Sequence, residues 1–261
     1  MKIGDIIQLL ESIAPLENQE DYDNSGLITG NPELECTGVL VSLDCTEDLI
    51  REAVDKNCNL IVSHHPLIFH PVRRITKEDM TGRSIISAIR ADITIYAIHT
   101  NLDNIIEGVN ARIADKLGLV NRKVLVPKNN GRSVGSGLIG DLKNPIAEEN
   151  LLKQLKQSFN SPVIKHSPIR GKTVSRVALC GGAGSFLISN ALRAKAEFFI
   201  TADVRYHEFF EAEGEMVIAD IGHFESEQFT IDLLHEVIVG KFPNFAVLKS
   251  GIITNPVNYY I

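Results

Sequence analysis

Apolar positions follow two periods along this chain, and the periods alternate. Ile3, Ile6, Ile7, Leu10 and Ile13 share one stripe of a helical wheel, which predicts an amphipathic helix over residues 3–13. After a polar loop, Gly38-Val39-Leu40-Val41-Ser42-Leu43-Asp44 is a short run of the kind that fills a strand covered on both faces. Thr46 is placed to cap a following helix that turns Leu49, Ile50, Ala53 and Val54 inward. Leu60-Ile61-Val62-Ser63 reads as a strand running into His64-His65-Pro66, where the proline ends it. Residues 82–91 read as helix. Ile93-Thr94-Ile95-Tyr96-Ala97 is a third strand ending at His99-Thr100-Asn101-Leu102-Asp103, and residues 110–117 form a helix that Gly118 can close.

Residues 121–172 are richer in Gly, Pro, Ser and Asn, with one strand candidate (137–142) and one helix (147–158). They read as a connecting segment carrying a hairpin or small subdomain. Then the first pattern returns. Arg176-Val177-Ala178-Leu179-Cys180 is a strand, followed by a Gly-rich turn and a helix over 186–195. Phe198-Phe199-Ile200-Thr201 leads into Ala202-Asp203-Val204-Arg205-Tyr206-His207, and Met216-Val217-Ile218-Ala219-Asp220 into Gly222-His223-Phe224-Glu225-Ser226-Glu227. A helix over 226–239 and an edge strand near 245–248 close the series.

The two halves match in detail. Ile50-x-x-Ala53 before Leu60-Ile61-Val62-Ser63-His64 parallels Ile188-x-x-Ala191 before Phe198-Phe199-Ile200-Thr201-Ala202. Ile95-Tyr96-Ala97-Ile98-His99 parallels Val217-Ile218-Ala219-Asp220-Ile221-Gly222-His223. The expected fold class is therefore α/β, with two related α/β lobes arising by internal duplication about a pseudo-twofold. The expected boundaries are 1–120 and 173–261, joined by 121–172, unless the whole is one continuous domain. The site is expected between the lobes at the strand carboxyl ends, where ligands bind in open α/β sheets.

Composition narrows the function classes. The 261 residues are 44% hydrophobic and 23% charged, an ordinary globular balance. A net charge of −7 supplies no basic footprint for nucleic acid, so a small anionic substrate would need a local source of positive charge. Cys36, Cys45, Cys58 and Cys180 are scattered without a C-x-x-C pair, as inert buried thiols are. Neither a signal peptide nor an apolar stretch near the ~20 residues of a membrane span is visible, which makes a cytoplasmic setting the expectation.

Four polar clusters each follow an apolar strand: His64-His65, His99 to Asp103, Asp203 to His207, and His223 to Glu227. Imidazole and carboxylate without thiolate suit zinc, manganese, iron, cobalt or nickel and do not choose among them. Adjacent histidines at a strand end diverge, so they would serve two ions rather than share one. A carboxylate could bridge such a pair, and open positions would be left for water. Taken singly, each cluster has a plainer reading. Asp103 could cap a helix, and Glu227 could be a first-turn glutamate favoured by the helix dipole.

Ser63-His64-His65-Pro66-Leu67, His99-Thr100-Asn101-Leu102-Asp103 and Gly222-His223-Phe224-Glu225-Ser226-Glu227 resemble the three signature motifs of one family. It is the GTP cyclohydrolase I type 2, or Nif-three-like, family of dinuclear metal proteins. Asp23-Asn24-Ser25-Gly26-Leu27 resembles its amino-terminal motif, with Tyr22 where a tryptophan often stands. Ala202-Asp203 with Tyr206-His207 resembles a fourth. The resemblance implies two divalent ions on His64, His65, Asp103, His223 and Glu227, with Glu227 as the bridge. It also implies a toroidal homohexamer, here in the short form without an inserted domain. The implied activity is hydrolytic opening of the imidazole ring of GTP at C8. Two alternatives stay open: a metal-dependent phosphoester hydrolase, and a metal-binding regulatory or scaffolding oligomer without catalysis.

Asp203 and His207 read as a general acid/base pair, or Asp203 as a helix cap. His99 reads as a proton shuttle, as a group orienting Asp103 or a bound water, or as a satisfied buried histidine. Gly181-Gly182-Ala183-Gly184 follows a strand and precedes a helix, but as an incomplete phosphate motif it reads first as a tight turn. His70, His166 and His235 are read as outside the site.

Overall fold

The computed structural model describes residues 1–128 and 133–260. The chain begins with helix α1 (Ile3–Ile13), strand β1 (Gly26–Thr29), β2 (Val39–Ser42), α2 (Glu47–Asp55), β3 (Leu60–Ser63), α3 (Met80–Arg90), β4 (Thr94–Ala97) and α4 (Thr100–Asp103). It continues with α5 (Val109–Leu117), β5 (Leu119–Pro127), β6 (Gly135–Ala147), α6 (Glu148–Ser158), β7 (Lys165–His166), β8 (Thr173–Ala183), α7 (Ile188–Arg193) and β9 (Phe198–Ala202). A 3-10 segment (Tyr206–Ala212) precedes β10 (Val217–Asp220), α8 (His223–Glu227), α9 (Thr230–Lys241) and β11 (Val247–Lys249). Among the described residues, no helix is long and apolar enough to cross a membrane.

Two compact units result. The first comprises Met1–Leu102 and Thr230–Pro256, the second Asp103–Phe229 and Val257–Ile261. In the first, the sheet order is β1-β4-β3-β2-β11, with β2, β3, β4 and β11 parallel and β1 antiparallel to β4. All residues of β2, β3 and β4 are buried, which is why they read as continuous apolar runs rather than as an alternation. Leu40, Ile61 and Ile95 pack with Leu49, Ile50 and Ala53 of α2 and Ile85 and Ala88 of α3. Thr46 caps α2 by accepting from the Leu49 amide at 3.3 Å. Val54, expected to face inward, is exposed, because the α2 stripe stops at Ala53.

In the second unit the order is β5-β6-β8-β9-β10-β7. Strands β8, β9 and β10 are parallel, and β7 runs antiparallel at the β10 edge. Alternate residues of the central strands serve opposite cores. Val177, Leu179, Phe198, Ile200 and Val217 pack with Ile113 of α5 and Leu151 and Leu155 of α6. Ala178, Phe199 and Ile218 pack with Ile188 and Ala191 of α7. Gly118 ends α5 with φ at 66°, the left-handed closure its position predicts.

The order β1-β4-β3-β2 in one sheet and β7-β10-β9-β8 in the other repeats the same connectivity, each with an antiparallel strand at the same edge. Duplication is thus visible in the topology of each sheet. The boundaries, however, differ from the expected 120/121 and 172/173. Residues 119–127 and 135–147 form β5 and β6, which are integral to the second sheet through β8, not a connecting segment. The chain after Thr230 returns to the first unit because β11 pairs in parallel with β2, Val247 opposite Val39. The helix expected over 226–239 is two helices, α8 and α9, each belonging to a different unit. All four cysteines are buried thiols, and burial pushes the Cys45 thiol up to about 12.

Candidate metal centre

Strand β3 ends at Ser63 and delivers His64 and His65 into the loop beyond its carboxyl end, and β4 delivers His99 to the equivalent place. His64 is fully buried. The ring centroids of His64 and His65 lie 4.9 Å apart, and that of His99 lies 5.2 and 5.3 Å from them. Each of the three offers a ring nitrogen within 4.8 Å of the others, a grouping able to hold a metal ion. The adjacent pair of rings lies side by side in the turn before Pro66.

Each ring is held by a hydrogen bond that selects its tautomer. His64 Nδ1 is 2.8 Å from the Ile98 carbonyl, His65 Nδ1 is 2.8 Å from Asp44 Oδ1, and His99 Nδ1 is 2.7 Å from Asp23 Oδ1. A carbonyl or carboxylate only accepts, so Nδ1 is the donor in each ring and Nε2 carries the lone pair in the neutral form. This is the arrangement by which proteins orient metal-binding histidines. Asp23 is the most heavily committed of the acceptors. Its side chain is shielded from solvent and also accepts from the Asn24 amide (2.7 Å), Ser25 Oγ (2.9 Å), Thr100 Oγ1 (2.5 Å) and the Thr100 amide (3.0 Å). Burial alone would raise its pKa, but His99 and these donors outweigh burial and hold it well below the usual carboxylate range. Asp44 is likewise lowered, against burial, by His65 and by Thr254, whose hydroxyl it accepts.

In the second unit, β10 delivers His223 at the start of α8, and Glu227 follows one turn later. Their Nε2 and Oε2 atoms are 3.0 Å apart, and His223 Nδ1 lies 2.7 Å from Asp203 Oδ2. Glu227 is almost wholly buried. Burial opposes a charge on His223, yet Glu227 and Asp203 prevail and push its pKa up to about 11. A cation is favoured at this point, and in the absence of metal the imidazolium supplies it. Asp103 closes α4, half-buried, and its carbonyl accepts from Asn110 Nδ2 at 3.0 Å.

The Gly-rich turn is a tight turn and not a phosphate cradle. Gly181, Gly182 and Gly184 donate to Asn110 Oδ1, Ser226 Oγ and Thr201 Oγ1, each at 2.9 Å. Gly182 has φ at +59°, and a Cβ there would lie 2.3 Å from Glu227 Oε1. The glycine leaves room for the buried carboxylate. Gly182→Ala is therefore expected to displace Glu227 from His223 and to cost about 1–3 kcal/mol in backbone strain. Paired urea unfolding and metal titration of the variant check both.

Asp203 and His207 are expected as an acid/base pair, or Asp203 as a helix cap. The Asp203 carboxylate holds His223, and the exposed His207 ring lies 5.1 Å from that of Tyr206 and 6.3 Å from that of Phe210. Asp44 carried no sequence signal beyond ending an apolar run, and Asp23 none beyond its motif. Both act through partners at distant positions in the chain, which single-sequence spacing does not reveal.

The family model of DUF34/NIF3 (NGG1p interacting factor 3) matches residues 1–256. A Clostridium acetobutylicum protein named GTP cyclohydrolase 1 type 2 homolog is 32% identical over 257 residues, spanning 97% of this chain and 94% of its own. A Clostridium perfringens protein of the same name is 35% identical over 230 residues, 87% of each chain. Among solved structures, a Bacillus cereus protein related to NIF3 matches with a TM-score of 0.94 over 100% of this chain and 99% of its own. At 24% identity that likeness speaks to the fold. The family whose motifs the strand-end histidines resemble is thus the one the whole chain matches, and the chain belongs to DUF34/NIF3.

Proposed function

We propose that the chain is a metal-dependent hydrolase of a small anionic or nucleotide substrate, with His64, His65, Asp103, His223 and Glu227 holding two divalent ions. The observation that carries this reading is the set of imidazoles at strand ends whose Nδ1 atoms are tied to fixed acceptors, leaving Nε2 as the donor atom. Three fixed acceptors, the Ile98 carbonyl, Asp44 and Asp203, devoted to orienting three imidazoles are costly to arrange for packing alone. When bound, the ions would supply Lewis acidity and a water of lowered pKa. Asp203 would orient His223, and Asp44 would orient His65. His207, with its exposed ring, is the group best placed to exchange protons with solvent. Ring opening of GTP is the specific form suggested by the relatives' name, and it belongs to this proposal.

The test is turnover by metal-loaded protein of a panel containing GTP, other nucleotides and simple phosphoesters. Activity that appears with manganese or zinc and vanishes with a chelator supports the reading. If protein carrying two ions turns over nothing, the regulatory, non-catalytic alternative replaces it.

The raised pKa of His223 gives a further expectation. Below its ordinary value of 6.5 the charged imidazole contributes its full stabilisation to the metal-free protein. That contribution is lost as pH rises through about 11. Around pH 7.5 the ring is charged, so metal binding must expel its proton. Calorimetry in buffers of different ionisation enthalpy should report about one proton released from this residue. Binding without proton release would mean that His223 is not a ligand.

A further inference from the structure

Two aromatic side chains of the first unit stay largely in solvent although they come from distant loops and meet. Tyr22 is 64% and Phe69 42% exposed, and their ring centroids stand 6.5 Å apart, tilted by 43°. We propose that these rings are the platform for the base of a nucleotide, and that Arg73 and Arg74, in the same loop as Phe69, bind its phosphates. This rests on the hydrolase reading above and names its substrate class.

Three observations converge. The first is position. The Phe69 ring lies 5.9 Å from that of His99, which in turn packs against the rings of His64 and His65. Successive residues build the arrangement. Tyr22 supplies one ring, Asp23 holds His99 at 2.7 Å, and Asn24 Nδ2 donates at 2.7 Å to the carbonyl of Ile68, the residue before Phe69. Segments 44 residues apart in sequence are thereby pinned together beside the candidate metal centre. Exposed apolar surface held in this way marks a binding site.

The second is shape. Rings that sandwich a planar group stand roughly 7 Å apart, twice a carbon–carbon contact of ~3.5 Å. A modest rotation of either exposed side chain therefore makes a slot for one. The third is charge. In a chain of net charge −7, residues 66–77 carry Arg73, Arg74 and Lys77 and no acid. Both arginines are exposed, and among the described residues neither is engaged in an ion pair. The guanidinium fork matches phosphate oxygens. The chain from Phe69 to Arg73 spans at most ~14 Å, so base and phosphates of one small molecule can be served together.

Equilibrium dialysis of the zinc-loaded full chain against GTP, guanosine and tripolyphosphate tests this. Wild type should bind GTP at least ~10-fold more tightly than tripolyphosphate. Phe69→Ala and Tyr22→Ala should each weaken GTP by about 5–150-fold and leave tripolyphosphate and zinc content unchanged. Phe69→Tyr and Tyr22→Phe, which keep a ring, should recover most of that loss. Replacing Arg73 and Arg74 together by Ala should weaken GTP and tripolyphosphate alike and spare guanosine. GTP bound no more tightly than tripolyphosphate would overturn the proposal, as would alanine variants that bind GTP like wild type. A Phe69→Ala protein that loses an oligomer in sedimentation yet keeps its GTP affinity would make a second copy the occupant and do the same. Zinc-loaded wild type that cleaves phosphoesters without regard to a base removes the platform alone. Wild type that binds GTP through these rings but hydrolyses nothing removes the hydrolase reading and leaves the platform.

Discussion

Glu227→Ala should reduce bound metal from two ions to one and lower kcat/KM by roughly a thousandfold, since a second ion contributes several kcal/mol of transition-state stabilisation. The reasoning starts from packing. Glu227 is almost wholly buried, its Oε2 is 3.0 Å from His223 Nε2, and the bare Cα of Gly182 makes room for its other oxygen. A buried carboxylate held against an imidazolium is an expensive arrangement for stability alone. Replacing that proton by a divalent cation gives the arrangement a purpose. The substitution also removes the strongest carboxylate influence on His223, so its pKa should fall and the pH-dependent part of the metal-free stability should shrink. Metal analysis, steady-state kinetics and urea unfolding across pH check these outcomes separately. Unchanged stoichiometry would show that Glu227 is a structural acid.

Asp23→Ala should be the most damaging change in the first unit. Asp23 joins the loop after α1 to the end of β4, accepting from His99, Asn24, Ser25 and both donors of Thr100. Removing a shielded carboxylate strands these donors, and each buried donor left unsatisfied costs about 1–3 kcal/mol. Through His99, whose ring packs against those of His64 and His65, the change should also loosen the candidate ligands and weaken metal binding. Asp23→Asn keeps an acceptor for one donor and should fall between the two. Because the folded pKa is depressed, the carboxylate's contribution is full above 3.8, its ordinary value, and fades as pH falls below it. Equilibrium unfolding and zinc competition on both variants measure the effects. Wild-type metal affinity in a folded Asp23→Ala would separate Asp23 from the metal centre.

Much of this was legible before any coordinates. The covered strands β2, β3, β4, β9 and β10 announced themselves as apolar runs, and each histidine-bearing loop directly follows one. Duplication showed because Ile50-x-x-Ala53 and Ile188-x-x-Ala191 hold equivalent helices against equivalent strands. What stayed hidden depends on pairing between distant segments. Strands β5 and β6 are antiparallel neighbours whose polar positions face outward, so their weak alternation resembled a linker. The return of β11 to β2 is set by an edge that only the folded sheet exposes. Asp44, 21 residues from His65, and Asp23, 76 residues from His99, act across gaps that no local motif spans. The Asp203 carboxylate likewise reaches His223, 20 residues on, a contact that its spacing to His207 does not announce.

Anomalous diffraction from crystals of the metal-loaded protein addresses the account most directly. Two peaks roughly 3.5–4 Å apart are expected, in contact with Nε2 of histidines whose Nδ1 atoms remain on Ile98, Asp44 and Asp203. Peaks elsewhere, or histidines bound through Nδ1 with those acceptors abandoned, would contradict it.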